Sequence, residues 1–396
     1  VPAPYLIPIE GVARHYAWGS PTAIPALLGW AGDGRPLAEL WFGAHADAPS
    51  PAPDQGSSLD ELIAAEPVAV LGARTVERFG PRLPFLVKLL TAETALSIQV
   101  HPTREQAQAG FAAEEQRGVP RDAPERNYRD TNHKPELLCA LTPFEALCGF
   151  RPVDATLALL DELAVPELAQ LRAALAGPDG LRAAFTALLT VEDPAPVVAA
   201  VIERAAADEV AAGPAVADAL AVVRLLAGDF PGDIGIVLSL LLNHVALAPG
   251  EAVFLDAGNV HCYLRGLGVE VMANSDNVLR CALTPKHVDV AEVLAVTDFR
   301  PLADPVCRPV TDGADGAAAR YDVPVDDFAV SRFEAPVALP HSDGPILLVC
   351  TDGAPTVTRG AARAELRPGA AVFAPHGAAP MAMTATGRVW AVRART

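Results

Sequence analysis

The chain has almost no lysine. Of its 396 residues, 27 are arginine and three are lysine, at Lys88, Lys134 and Lys286. Lysine is a compact ammonium whose pKa burial can move, and arginine replaces it in neither respect. Aromatic residues make up only 6%, while alanine inflates a 51% hydrophobic content, which favours helices somewhere. No run of about eighteen apolar residues occurs, which excludes a membrane-spanning helix. The six cysteines (139, 148, 262, 281, 307 and 350) include no C-x-x-C pair, so a reduced, cytoplasmic protein is expected. The N-terminus, VPAPYLIPIEG, lacks the basic start and apolar stretch of a secretory signal. Positive charge is scarce overall: the net charge of −18 argues against nucleic-acid and anionic-membrane partners.

The texture along this length implies more than one domain. Residues 1–100 read as short strands and turns broken by Pro and Gly, with a serine-capped helix at SLDELIAAEP. LPFLVKLL and TALSIQVHPT read as strands, and Thr103 caps a helix with Gln106 in capping-box position. The segment 111–132 reads as loop, and HKPELLCAL and FEALCGF as strands again. Between 152 and 229, Leu168, Leu171 and Leu175, then Phe185, Leu188 and Leu189, then Val197, Val198, Val201 and Ile202 recur at helical spacing. Strands return from about 245, and the C-terminal stretch after about 305 is all β. APGEAVFLDAG (248–258) is echoed by RPGAAVFAPHG (367–377), which suggests two related β units.

Polar side chains in apolar strands are the candidates for chemistry. Ile98 and Val100 alternate with Gln99 and His101, so these two polar groups share one face about 6–7 Å apart at Cα. Glu136 opens an apolar run in KPELL, and His261 follows the turn DAGNV. A lone strand histidine is by default a hydrogen-bonded core residue. Together, however, these four offer an amide oxygen, two imidazoles and a carboxylate, a ligand set that suits Zn²⁺ better than Mg²⁺ or Ca²⁺. In EVMANSDNVLRCALTPKH (270–287), Glu270, Asn274, Asp276, Arg280 and Lys286 lie among Val271, Val278, Leu279 and Leu283, a pattern that lines a cavity rather than a solvated turn. In NHKPE, His133 and Lys134 flank Glu136. A cation beside a metal has its pKa pushed down and becomes a candidate acid or base.

LPFLVKLLTAETALSIQVHP, NHKPELL and VEVMANSDNVLRCALTPKHVDV closely resemble the signature blocks of type I phosphomannose isomerases, and YAWGS and AELWFGAH resemble that family's N-terminal blocks. Thr131 stands where proline is common in the family, and Cys281-Ala282 where a glycine-containing pair is usual. The resemblance implies a mainly β fold with an α insertion: two cupin-like β jelly rolls plus an Ala-rich helical domain. The expected boundaries are a discontinuous zinc-binding cupin domain (1–151 and 230–305), a helical insertion (152–229) and a C-terminal cupin-like domain without a metal site (306–396). It implies one Zn²⁺ per chain on Gln99, His101, Glu136 and His261, and a catalytic role for Arg280. The implied reaction is interconversion of mannose 6-phosphate and fructose 6-phosphate, a proton moving between C2 and C1 through a cis-enediol. Glu270, His133, Lys134 and Asp276 all stand as candidate bases. Lys88 and Lys286 are expected to meet a dianionic phosphosugar, with Tyr263 and Trp18 lining the pocket, in a monomer. A non-catalytic sugar-phosphate-binding cupin would need the metal or Arg280 to be dispensable. A cupin oxygenase would show His-x-His where this chain has Gln99-Val100-His101.

Overall fold

The computed structural model describes residues 6–207, 213–312, 318–334, 336–339, 343–377 and 379–395. Its central feature is an 11-stranded antiparallel sheet folded into two walls. One wall runs through Val12–Arg14, Glu39–Phe42, Phe85–Ala92, the far end of His261–Ala273, Glu136–Ala140 and Ala252–Leu255. The other holds Ile98–Val100, Leu279–Ala282, the near end of His261–Ala273, Phe144–Phe150 and Leu242–Leu247. The 13-residue strand His261–Ala273 therefore belongs to both walls. It turns the corner at Gly266, whose φ of 129° favours glycine and where a Cβ would meet Phe144 at 2.6 Å.

The outer faces of both walls are covered. Ile98, Val100, Leu279 and Cys281 share a core with the helices Val153–Leu163, Ala169–Leu175, Gly180–Leu189, Ala195–Ala206 and Pro214–Asp229. These helices are amphipathic where the sequence spacing places them: Leu171, Leu175, Phe185, Leu188, Val198 and Val201 are all buried. Val87, Leu89, Leu137, Val269 and Val271 face the other way and share a core with Leu347, Val349, Phe373, Trp390 and Val392 of a second, 7-stranded sheet. Each such side chain contributes roughly 1.5–3 kcal/mol on burial. With apolar residues committed outward, the alternating polar residues Gln99, Arg280, Lys88 and Glu270 are left to the space between the walls.

The second sheet draws on both ends of the chain. Its strand Ala371–Ala374 pairs with Ile346–Gly353 on one side and with Ile7–Ile9, from the N-terminus, on the other. The repeated motif is visible in it: Ala252–Leu255 and Ala371–Ala374 lie at equal offsets after Gly250 and Gly369, both with positive φ. Locally, Glu61 accepts the Ser58 amide at 3.1 Å and Thr103 caps the helix Arg104–Arg117 with Gln106 completing the box. That helix runs further than the loop-like composition after 111 implied. Among the described residues, no helix is long and apolar enough to cross a membrane.

Candidate metal centre and active site

Strand register builds the site. Gln99 stands opposite His261 on one side and opposite Arg280 on the other. Directly paired residues of antiparallel strands point to the same face, so the three side chains form a row across the inner wall. His101 follows one pleat later, and Glu136 reaches in from the facing wall at the start of its strand.

The tips converge. His101 Nε2 lies 3.4 Å from Glu136 Oε1, His261 Nε2 lies 3.5 Å from Glu136 Oε2, and the Gln99 amide lies 3.2 Å from His261 Nε2. His101, Glu136 and His261 are all essentially buried. Each imidazole is oriented from behind. His101 Nδ1–H donates to the Asn277 carbonyl (2.8 Å), and His261 Nδ1–H donates to the Asn259 carbonyl (2.9 Å). Both rings thus present an Nε2 lone pair inward, as metal-binding histidines require. The turn before His261 is tied to the same point. Gly258 N–H donates to the His101 carbonyl (2.8 Å), and with φ at 79° a Cβ there would press within 2.9 Å of Asp298.

Two buried atoms here, His101 Nε2 and Glu136 Oε2, have no hydrogen-bond partner among the described residues. Leaving a buried polar atom unsatisfied costs about 1–3 kcal/mol, and a cation held between them would use both. Burial lowers the His101 pKa to about 4, so the ring is a neutral donor. Burial opposes ionisation of Glu136, but Lys134, with Nζ 3.1 Å away, and the two histidines outweigh it and hold the carboxyl well below its usual range. Two imidazoles, one carboxylate and an amide whose rotation offers its oxygen form a set that fits Zn²⁺.

The other candidates divide by what they touch. Lys88 is buried between Glu270 Oε2 (2.8 Å) and Glu39 Oε1 (3.2 Å). Burial alone would lower its pKa, but the two carboxylates more than reverse this and raise it. Burial, reinforced by Glu136 and Glu39, raises the Glu270 pKa against the opposing pull of Lys88. Tyr263 donates its hydroxyl to Glu270 Oε1 (2.9 Å), and Trp41 Nε1–H donates to Glu39 Oε2 (2.8 Å). Lys88, Glu270 and Tyr263 thus spend their polar groups on one another. His133 is drawn elsewhere: Nε2 lies 2.8 Å from Asp327 Oδ2, a buried carboxylate of the C-terminal lobe that also meets Arg104. Trp18 is half-buried and stacks on Tyr16 at 5.5 Å. Asp276 is half-buried, with Oδ1 3.3 Å from His45 Nε2. Burial raises its pKa, but His45, with Lys134 and Lys88 behind it, outweighs this and the net shift is downward.

Arg280 and Lys286 sit together with a residue the sequence reading passed over, Arg129. Burial first and Arg129 second lower the Arg280 pKa, and Arg280, burial and Arg129 lower that of Lys286. None of the three side chains forms an ion pair or hydrogen bond among the described residues. A cluster of unpaired cations in a chain of net charge −18 is a ready anion site. Asn277 was passed over too. Buried, it accepts the Arg129 amide (2.7 Å), donates to the Asp130 and Asn132 carbonyls (2.9 and 2.8 Å) and offers its own carbonyl to His101. A second asparagine in the polar block ANSDN, beside apolar Val278, was the available signal. A cavity of about 580 Å³ touches His133 among the candidate site residues and none of the His101–Glu136–His261 trio. The chemistry follows the donor set rather than cavity size.

A family model described as phosphomannose isomerase type I, catalytic domain, matches residues 6–153. The mannose-6-phosphate isomerase of Escherichia coli (strain K12) is 38% identical over 388 residues, covering 95% of this chain and 96% of that protein. A solved structure of a variant phosphomannose isomerase from Salmonella typhimurium superimposes with a TM-score of 0.91 at 35% identity, covering 99% of this chain and all of that one. A zinc-bound mannose 6-phosphate isomerase structure gives a TM-score of 0.90 at 36% identity over the same share of both chains.

Proposed function

The chain belongs to the type I phosphomannose isomerase family, and from that premise we propose how its residues divide the work. It is a zinc-dependent aldose–ketose isomerase that interconverts mannose 6-phosphate and fructose 6-phosphate. Gln99, His101, Glu136 and His261 would hold the zinc, whose chemistry is to polarise or orient the sugar's C1 and C2 oxygens as a Lewis acid.

The observation that carries this reading is the pairing of two features in one space: a buried trio with unsatisfied inward atoms, and an unpaired cation cluster linked to it by Gln99–Arg280 register. Arg129 and Lys286 receive the phosphate dianion. Arg280, next to Gln99, meets negative charge as it develops on the enediolate oxygens. Asp276 moves the proton. Its Oδ1 meets His45, while its Oδ2 makes no hydrogen bond or ion pair among the described residues. Glu270 is locked to Lys88 and Tyr263, His133 to Asp327, and Lys134 to Glu136. Asp276 Oδ2 takes the proton from C2 (or from C1 in reverse), the C–H electron pair forms the C1=C2 bond as the carbonyl π pair moves onto its oxygen, the hydroxyl proton passes between O2 and O1, and the carboxylic acid returns its proton to the other carbon.

The division into a discontinuous zinc-binding domain, a helical insertion and a C-terminal cupin-like domain is supported by the shared sheet on either side of the helices. The six unpaired thiols support a cytoplasmic location, and we read the chain as a monomer acting on its phosphosugar alone. A coupled isomerase assay on mannose 6-phosphate, before and after chelation and after zinc is restored, tests the function. Turnover that is absent in the zinc-loaded protein, or indifferent to chelation, refutes it.

A further inference from the structure

Behind Asp276 lies a histidine that the reaction scheme has not used. His45 follows the strand Glu39–Phe42 in the stretch LWFGAHAD, is 5% exposed, and meets the Trp41 indole edge-on at 5.0 Å. Both its ring nitrogens are engaged. Nδ1 lies 3.1 Å from the Asp47 backbone nitrogen, and Nε2 lies 3.3 Å from Asp276 Oδ1. A backbone N–H can only donate, so Nδ1 must carry the lone pair and the ring proton must sit on Nε2. The tautomer is therefore set by the main chain, and its N–H is aimed at the carboxylate. His45, Asp47 and Asp276 bring three potential ligand atoms within 4.8 Å of one another. With both imidazole nitrogens already spent, that group is not a cation site.

We propose that His45 is a positioning residue for proton transfer. Its Nε2–H holds Asp276 Oδ1 and so turns Oδ2 toward the substrate carbons. The Asp276 main chain is fixed as well, its amide donating to Asp130 Oδ2 at 2.7 Å. Backbone and one carboxylate oxygen are both pinned, which leaves a single oxygen to act. The charged groups that bear on Asp276 are His45, Lys134, Lys88 and Asp130, with Asp47 on the far side of the imidazole. His45 contributes most of the downward pull on the Asp276 pKa, so the carboxylate is also kept ionised and able to accept a proton. The inference rests on Asp276 being the proton-transfer group.

The test compares His45→Phe, His45→Gln, His45→Asn and Asp276→Asn in the full-length, zinc-loaded protein. Asp276→Asn should cut kcat by about a hundredfold or more. His45→Phe should cut kcat by about tenfold or more through misplacement, with KM for mannose 6-phosphate changed by less than about threefold. Its acid limb of kcat/KM should move to higher pH, and zinc content should stay as in the parent. His45→Gln, whose amide reaches the Nε2 position, should recover most of the rate. His45→Asn, which is too short, should not. The Gln and Asn pair keeps the test valid if the Phe variant folds poorly, since both are polar and differ in reach. Equal rates for Gln and Asn, or a parental acid limb in both, overturns the positioning role while Asp276→Asn stays inactive. An active Asp276→Asn instead overturns the choice of Asp276 as base.

Discussion

Arg129→Gln separates substrate binding from chemistry. The guanidinium is exposed and has no protein partner among the described residues, yet it lies close enough to Arg280 and Lys286 to depress both their pKa values. Removing it breaks no hydrogen bond or ion pair among the described residues, and its backbone stays held by Asn277 through the amide at 2.7 Å. A hydrogen bond to a charged group is worth about 1.5–3 kcal/mol. Exposure and salt take the lower end, and 1.4 kcal/mol is about tenfold in affinity. KM for mannose 6-phosphate should therefore rise by about tenfold, and inhibition by inorganic phosphate should weaken in parallel. The phosphate is remote from C1 and C2, so kcat should fall by less than about threefold. Arg129→Lys should recover most of the loss, since a point charge also holds phosphate. Steady-state kinetics at low and high ionic strength measure all of this, and the difference between parent and variant should shrink with salt. An unchanged KM, or a fall in kcat at constant KM, would refute the assignment of Arg129 to the phosphate.

His101→Ala should lose zinc and turnover together, because the ion then lacks a donor that Asn277 holds in place; elemental analysis beside the assay decides it, and a metal-free protein with parental turnover would contradict the site. Lys88→Met should destabilise the fold by roughly 3–5 kcal/mol, because Glu39 and Glu270 are left buried and unpaired. Urea titration measures that loss, adding Glu270→Gln should restore part of it, and KM should change by less than about threefold, unlike that of Arg129→Gln. His244 bridges Asp218 of the helix Pro214–Asp229 (2.7 Å) and Glu145 of the strand Phe144–Phe150 (3.1 Å). Burial lowers its pKa, but the two carboxylates raise it above the unfolded value of 6.5. Its contribution is then complete below about pH 6.5 and is lost as pH rises through the folded pKa. The melting temperature of His244→Ala should fall short of the parent's most at pH 6 and least at pH 9.

The inner wall was legible because strands alternate. Ile98 and Val100 against Gln99 and His101, or Val269 and Val271 against Glu270, declare two faces without any coordinates. Glu136 and His261 were visible as polar residues at the edges of apolar runs, and the helices of 152–229 as leucine and valine at helical spacing. Partnership was not legible, because it is set by register. Lys88 looks like a free cation in LPFLVKLL, and only the pairing of Phe85–Ala92 with Glu39–Phe42 and His261–Ala273 brings two carboxylates onto it. Arg129 hid in a segment whose composition reads as loop. Its importance comes from Asn277, 148 residues later in the chain, which holds its amide. The N-terminal strand Ile7–Ile9 carries no local sign that it completes a sheet with Ala371–Ala374.

Register also accounts for the size of the chain around so small a site. The wall carrying Gln99 and Arg280 is braced by the end of the helical segment. Asp229 accepts the Ala95 amide (2.9 Å) just before Gln99's strand. Asp233 accepts the Leu283 and Thr284 amides (2.9 and 3.3 Å), between Arg280 and Lys286. Leu283 has a φ of 55°, a conformation that costs a non-glycine residue of order 1–3 kcal/mol and persists only where its surroundings over-determine it. The Asp233 carboxylate and the packing of Leu283 against Gly235, where even a Cβ would come within 2.6 Å, supply that constraint. On the other side, Asp327 of the C-terminal lobe holds His133 and Arg104, three residues before Glu136 and three after His101. Gln99 and Arg280 thus sit on short strands whose flanking residues are held by carboxylates from elsewhere in the chain. A metal site tolerates little error in ligand position, and three- and four-residue strands such as Ile98–Val100 and Leu279–Ala282 cannot supply that rigidity alone. The helical segment and the C-terminal lobe supply it through these carboxylates.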